Sequence, residues 1–240
     1  MAKNPELFFS GRIGPVVMVK RGNKWHGRAY QPIVKQSAPT IVCSSNFGKA
    51  STAGKHLRNL LLPVITPFDK VSSIQSKFMG CINRWLKSVG MHALPATDDI
   101  STFYQFDFNT TKHVVNNWQQ QLKVAYPTHD SVQVTIPAFV ATDAIRAPAK
   151  TTAIICTIIV ACCKLTHGVA LGSSEVVITY PYTNTPVPEQ TITLAATSES
   201  DALIVTGVSV RYLLNDGSVN GSICGKEIYM PCGVIAAAYR

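Results

Sequence analysis

Acidic residues are scarce in the first third of the chain. Residues 1–90 hold 14 Lys and Arg but only Glu6 and Asp69, whereas residues 91–240 hold 8 basic and 11 acidic residues. The net charge of +9 is therefore a local property of the N-terminal third, where it can create a positive potential. This asymmetry predicts a basic N-terminal part at residues 1–90, a connecting region at 91–130 and a β-domain at 131–240.

The chain also lacks the hydrophobic run that a membrane-spanning helix needs. Its longest apolar run, residues 151–163, is shorter than the ~20 residues of a span and is rich in Ile, Val and Thr, which predicts a buried strand. No apolar segment of signal-peptide length follows Met1, and the seven cysteines have no C-x-x-C spacing. We therefore expect a cytoplasmic protein with cysteines that serve as small buried hydrophobic residues, and a Cys224–Cys232 disulfide is the one pairing left open.

Signatures of catalysis and ligand binding are missing as well. The chain has neither a G-x-S-x-G motif nor a phosphate-binding loop, and its six histidines are scattered singly. Asp98-Asp99 fits a solvated turn or helix cap better than an acid–base pair, and the vicinal Cys162 and Cys163 would point to opposite faces of a strand. We expect no enzyme activity, no cofactor, no metal site and no small-molecule substrate.

Residues 10–30 combine strand-forming residues with a concentration of positive charge. The valine-rich residues 16–19 favour a strand, Arg21-Gly22-Asn23 favours a turn, and residues 24–30 can return antiparallel, which together predict a β-hairpin. Its cations alternate with aromatic rings, a composition typical of a nucleic-acid contact or of an arm that docks on a neighbouring surface. The candidate contact residues, on this hairpin and on the second helix described below, are Arg12, Lys20, Arg21, Lys24, Trp25, Arg28, Tyr30, Lys77, Arg84 and Lys87.

Two amphipathic helices are predicted after an extended, proline-containing connector at residues 31–42. The first would begin at a Ser44 or Ser45 cap and end near residues 63–67. Its apolar positions are Phe47, Ala50, Leu57, Leu60, Leu61 and Val64. The second would have Ser72 or Ser73 as its cap and Gly90 as its stop. Its apolar positions are Val71, Ile74, Phe78, Ile82, Trp85 and Val89. Further along, Val114, Trp118 and Leu122 favour a short helix over a strand pair.

From residue 131 the pattern changes to short β runs separated by turn residues. The predicted strands are residues 131–139, 152–163, 175–182, 190–196, 203–214, 219–230 and 233–239. Asn215-Asp216-Gly217, which accepts left-handed backbone geometry, predicts a hairpin turn. The chain is thus predicted to be mostly β with a helical pair (α+β), and the strand spacing predicts a C-terminal immunoglobulin- or fibronectin-like β-sandwich.

The N-terminal motifs resemble a known family. The run Ser10-Gly11-Arg12-Ile13-Gly14-Pro15-Val16-Val17, with Trp25 and Gly27 downstream, is similar to the opening of functionally uncharacterised bacterial proteins, chiefly from Bacteroidota. The phenylalanine-led helix of that family would correspond to residues 47–61, and its closing hairpin to Tyr212, Asp216-Gly217, Val219 and Ser222. The resemblance implies a basic hairpin, paired helices and a C-terminal β-domain, and it brings no activity with it.

Two functions fit these features. We expect a structural protein that assembles with other copies of itself into a homo-oligomer, a filament or a shell, through its basic N-terminal arm. Head-to-tail contact between copies would bring the positive arm against the mildly acidic β-domain of a neighbour. The N-terminal third has too little chain to close its own core, and its hairpin has open edges. The alternative is a nucleic-acid-binding protein that uses the basic and aromatic N-terminal residues.

Overall fold

The computed structural model describes most of the chain and groups it into two compact units. The described residues are 11–31, 36–65, 72–88, 106–109, 114–118, 121–164, 168–197, 199, 202–217, 221–226 and 229–239. The units are Met1–Cys43 and Ser44–Arg240. The compact units thus divide at residue 43, whereas the charge distribution predicted boundaries at residues 90 and 130. Val71, Val89, Gly90, Asp98-Asp99 and Val219 lie outside the described residues.

The first unit contains an antiparallel sheet in the strand order β1-β2-β3. Its strands are β1 (Gly11–Ile13), β2 (Val16–Arg21) and β3 (Lys24–Ala29). Arg21 pairs with Lys24, so Gly22 and Asn23 form the two-residue turn, and Gly22 has the left-handed φ of +59° that such a turn requires. The predicted hairpin is therefore confirmed, and β1 adds a third strand.

The first long helix, α1 (Ala38–Leu60), begins earlier than predicted. The Ser37 hydroxyl accepts a hydrogen bond from the Thr40 amide at 3.4 Å and caps the helix, so the predicted cap at Ser44 or Ser45 is wrong. The predicted extended connector is also wrong over residues 38–42. Pro39 suggested extended chain, but proline is tolerated in the first turn of a helix, where an amide has no partner to lose.

The second unit buries its helices against its β-strands. A short helix, α2 (Leu62–Ile65), follows α1, and α3 (Ser72–Ser88) confirms the second predicted helix. On α3, Phe78, Ile82 and Trp85 are buried, as the three- and four-residue spacing predicted. The Trp85 ring lies 5.5 Å from that of Tyr239 on the last strand. On α1, Phe47 is half exposed although it was predicted to lie on the apolar face.

The remaining elements form the β-rich part of the second unit. They are α4 (Val114–Asn117), β4 (Lys123–Thr128), β5 (Ser131–Ile136), β6 (Phe139–Val140), α5 (Ala141–Ala144), β7 (Thr151–Lys164), β8 (Val169–Pro181), β9 (Pro186–Val187), β10 (Gln190–Ala195), β11 (Ala202–Leu214), β12 (Ser222–Ile223) and β13 (Cys232–Tyr239). One sheet has the order β12-β11-β7-β8, with β13 also paired to β11, and another has the order β10-β5-β4. The protein is thus mostly β with helices, as predicted at the level of fold class.

The strands β7 and β11 are buried on both faces along most of their length. On one face, Gly207 of β11 lies against Leu61. On the other, Tyr180 of β8 meets Phe139 with ring centroids 5.2 Å apart. Such two-sided burial explains why β7 is an almost uninterrupted apolar run.

One prediction for the last third of the chain needs correction. In the described part of residues 219–230, strand structure is limited to β12, so the predicted long strand is wrong. The hairpin predicted at Asn215-Asp216-Gly217 is confirmed, because β11 and β12 pair antiparallel on either side of it, and the connection from Leu214 to Ser222 is seven residues long. Gly217 does adopt the left-handed φ of +88° that the sequence suggested.

Candidate functional site

The sheet of the first unit has two chemically different faces, which follow from its register. Arg12, Val17 and Arg28 lie opposite one another across the three strands. Val19 lies opposite His26, and Arg21 opposite Lys24. Alternate residues of a strand point to the same face. We call this face, extended by Tyr30, the cationic face; its members are Arg12, Val17, Val19, Arg21, Lys24, His26, Arg28 and Tyr30.

Tyr30 joins the cationic face through its ring. The Arg12 guanidinium carbon lies 3.6 Å from the ring centroid, a cation–π stack, and Arg12 Nε also donates a hydrogen bond to the Gly14 carbonyl at 3.0 Å. The Tyr30 amide donates to the Pro15 carbonyl, which continues the β2–β3 pairing by one residue. The Arg12 guanidinium is therefore held in place over the Tyr30 ring.

Two clefts are lined by residues of the cationic face. One, of about 250 Å³, is lined by Val19, Arg21, His26 and Arg28. The other, of about 530 Å³, is lined by Val17, Arg28, Ala29, Tyr30 and Gln31. Arg28 lines both clefts, and each has a valine in its lining. The face thus offers apolar surface bordered by positive charge.

The cations of this face are not neutralised within the described part of the chain. Residues 11–31 contain no Asp or Glu, and neither Arg21, Lys24 nor Arg28 has an ion-pair partner among the described residues. Arg21 and Lys24 are directly opposite each other, and like charges at opposed positions of a sheet are destabilising. An anion bound here would relieve that repulsion.

The opposite face, which we call the apolar face, consists of Ile13, Val16, Met18, Lys20, Trp25 and Ala29. Ile13 and Val16 are 54% and 37% exposed, and no described residue from 11 to 31 is buried. The only charge on this face is Lys20, whose Nζ lies 5.9 Å from the centroid of the Trp25 ring opposite it. The apolar face is therefore an exposed hydrophobic surface with one cation at its end.

The structure separates the ten residues that the sequence grouped together. Five of them, Arg12, Arg21, Lys24, Arg28 and Tyr30, share the cationic face, whereas Lys20 and Trp25 lie on the apolar face. The other three belong to α3 in the second unit, where Lys77 and Arg84 are exposed and the Lys87 side chain lies outside the described part of the structure.

The candidate contact residues chosen from the sequence left out three residues that line the clefts. Val17 and Val19 were assigned only a strand-forming role, and His26 was grouped with Trp25 and Tyr30 as a residue that can stack on bases but was not chosen as a contact residue. The alternation of side chains along a strand could have identified them. Residues 17, 19 and 21 must share one face of their strand, and residues 24, 26 and 28 must share one face of theirs. The register then brings these two sets together.

A second exposed surface lies on strand β8 at the edge of the large sheet. β8 pairs with β7 on one side, and within the described chain no strand pairs with its other edge. Val169 and Val177 are 48% and 54% exposed, and Glu175 is the strand's only charged residue. Natural edge strands are commonly protected by lysine, proline or a bulge, and this 13-residue strand has little such protection along its middle.

Four buried cysteines of the second unit are not activated nucleophiles. None of the seven cysteines forms a disulfide, Cys224 and Cys232 included, and only Cys43 is exposed. Burial raises the pKa of the Cys81 and Cys162 thiols to about 11 and that of Cys156 to about 12. Burial also raises the pKa of Cys232 well above its ordinary value. Because the thiolate is the reactive form, these four buried thiols are unreactive at neutral pH.

The described residues contain neither a cluster of metal ligands nor a membrane-spanning helix. No three His, Cys, Asp or Glu side chains come together there as potential ligands of a metal ion. None of the helices in the described ranges combines the length and the apolar character needed to cross a membrane.

No protein-family model, no curated protein and no solved structure matches this chain. A function is therefore inferred from the two faces of the N-terminal sheet.

Proposed function

We propose that the protein is a non-enzymatic structural protein that assembles with copies of itself through the apolar face of its N-terminal sheet. The supporting observation is the exposure of Ile13 and Val16 on a sheet in which no described residue is buried. A small sheet needs a covered hydrophobic face to be stable, and each Å² of apolar surface removed from water contributes about 25 cal/mol. A second copy would supply that cover.

Charge favours this face over the opposite one as the contact between copies. Two cationic faces brought together would oppose at least four cations on each side, with no acid from residues 11–31 between them. The apolar face carries only Lys20. Contact between copies through the apolar faces therefore keeps the cations of both sheets in water.

The shape of the apolar face is also suited to contact with an identical face. Met18 lies in register between Gly11 and Gly27, so one side chain projects between two positions that have none. A Cβ atom at Gly27 would lie 3.1 Å from Met18 Sδ, whereas a Cβ at Gly11 would have nothing within 4 Å. Met18 thus leans over Gly27 and leaves the Gly11 side open, where the Met18 of a second copy could insert.

A filament or shell needs a second contact as well. Contact between identical faces closes a pair of molecules by two-fold symmetry, and growth beyond the pair requires another surface. The β8 edge is the second surface that supports such growth, because its unpaired backbone groups and exposed Val177 could pair with the same strand of a neighbour.

Three further proposals accompany this function. For the second unit we propose the immunoglobulin- or fibronectin-like sandwich, supported by two antiparallel sheets that contribute to one core. Membership of the uncharacterised bacterial family is supported by the N-terminal motifs, and a cytoplasmic location by the absence of disulfides.

Substitutions on the two faces of the N-terminal sheet test the assembly. Ile13→Thr with Val16→Thr keeps β-branched side chains but replaces apolar surface on the apolar face. Val17→Thr with Val19→Thr is the matched control on the opposite face of the same sheet. Each change counts twice in a two-fold contact, so we expect the first variant to weaken association about tenfold or more, as measured by light scattering over a concentration series. A monomeric unmodified protein, or equal weakening by both variants, would refute the proposal.

A further inference from the structure

We propose that the cationic face binds single-stranded nucleic acid, and that Lys20 and Trp25 take no part in that binding. The proposal is independent of self-assembly, because it concerns the opposite face of the sheet. It assigns Arg21, Lys24 and Arg28 to phosphate groups, and His26 and the Arg12–Tyr30 stack to bases.

The charge pattern is the first argument. Arg21 and Lys24 are opposed in the register, and Arg12 and Arg28 flank Val17, so four cations lie on one face of a sheet of 15 paired-strand residues. In the described chain Arg21, Lys24 and Arg28 make no ion pair that would neutralise them. A phosphate backbone provides a row of negative charges, and its binding releases condensed counterions.

The planar groups are the second argument. Tyr30 is stacked with the Arg12 guanidinium at 3.6 Å, which places a planar cation on a planar ring. His26 lies between Lys24 and Arg28 on the same strand face and lines the smaller cleft. Proteins that bind single strands combine a positive track with such stacking surfaces, and arginine contributes to the stacking.

The form of the surface favours a single strand over a duplex. The clefts have Val17 or Val19 in their linings, and the larger, of about 530 Å³, falls in the range of ligand-sized sites. Duplex readout uses a helix or a two-stranded ribbon inserted in the major groove. Here the cations lie on the broad face of a three-stranded sheet, whose cleft linings can contact unpaired bases and sugars.

The test measures binding of the full-length protein to labelled 20-nucleotide oligo(dT) by fluorescence anisotropy over a salt series. Arg21→Gln combined with Arg28→Gln removes two cations from the cationic face. Lys20→Gln, at the position next to Arg21, removes one cation from the apolar face and is the matched control. We expect the slope of log affinity against log salt to fall by about 1.4 for the double variant and to stay unchanged for Lys20→Gln.

Three results would overturn the proposal. The first is failure of the unmodified protein to bind the oligonucleotide at low salt. The second is a Lys20→Gln effect per charge as large as that of the arginine variants, which would show that only net charge matters. The third is equal affinity for a duplex or for an abasic strand of the same length, because neither presents unpaired bases to Tyr30 and His26.

Discussion

Leu61 lies directly over Gly207 at the centre of the large sheet. A Cβ atom built on Gly207 would be 3.2 Å from Leu61 Cδ2 and 3.4 Å from Ile159 Cγ2. Leu61 follows helix α1 and Gly207 belongs to the buried strand β11, so this close approach fixes the distance between helix and sheet. Gly207 does not have a left-handed φ, so its backbone conformation does not require glycine. Glycine is required there by packing, because a side chain would crowd Leu61 and Ile159.

We predict that Gly207→Ala lowers the free energy of unfolding. The added methyl group would push Leu61 or Ile159 out of position, and overpacking of this kind costs about 1–3 kcal/mol. Urea unfolding followed by circular dichroism measures the change. Gly225→Ala is the control, because a Cβ there meets nothing within 4 Å, and we expect it to be nearly neutral. Equal stability of the two variants would contradict the described packing.

A hydrogen bond from Tyr212 provides a second prediction. The Tyr212 ring is buried, and its hydroxyl donates to the Arg146 carbonyl at 2.9 Å. Tyr212→Phe keeps the ring but removes the donor, so we expect a loss of about 0.5–1.5 kcal/mol in thermal or urea unfolding. Tyr229→Phe is the control, because within the described chain the Tyr229 hydroxyl makes no hydrogen bond. A Tyr212→Phe variant as stable as the unmodified protein would show that this bond does not form.

The buried thiols predict alkaline destabilisation. Burial raises the pKa of Cys156 from 9.0 to about 12, so between these values the unfolded chain binds fewer protons than the folded one. The free energy of unfolding is therefore unaffected by this thiol below pH 9. As the pH rises from 9 towards 12, it falls by about 1.4 kcal/mol per pH unit. The stability of Cys156→Ala, measured against pH in the same buffers, should fall less steeply from pH 9 upward. Parallel curves for the two proteins would contradict this assignment.

Periodic segments of the sequence predicted their structure well. On α3, Phe78, Ile82 and Trp85 recur at helical spacing and are buried, because a 17-residue amphipathic helix has one face that must be covered. The continuous β-branched run of β7 likewise predicted a strand covered on both faces. In both cases many residues of one element together indicate which of its positions are buried.

Features that depend on one or two residues were harder to predict. The start of α1 depends on the Ser37 cap. Pro39 led to a prediction of extended chain there, because proline occurs both in extended chain and in the first turn of a helix. Strand β4, which contains Pro127, was missed, because residues 91–130 were assigned to a connecting region. Its register with β5 shifts near this proline, which explains how the strand accommodates it.

For the candidate site, composition singled out the segment but could not predict its division into two faces. Lys20 and Arg21 are neighbours in sequence with the same charge, yet strand alternation places them on opposite faces. The aromatic residues divide in the same way, Trp25 with Lys20 and Tyr30 with Arg12. Composition counts both sets of residues together, and only the register separates the apolar face, proposed for contact between copies, from the cationic face, proposed for an anion.

This division is the central claim, and one pair of variants measured in two ways tests it most directly. Ile13→Thr with Val16→Thr alters the apolar face, and Arg21→Gln with Arg28→Gln alters the cationic face. Sedimentation equilibrium and oligo(dT) anisotropy on the same samples should show reduced mass with an unchanged salt slope for the first variant. The second should show unchanged mass with a reduced slope. If either variant changes both readouts equally, or if neither changes anything, the two faces do not have separate roles and the account is contradicted.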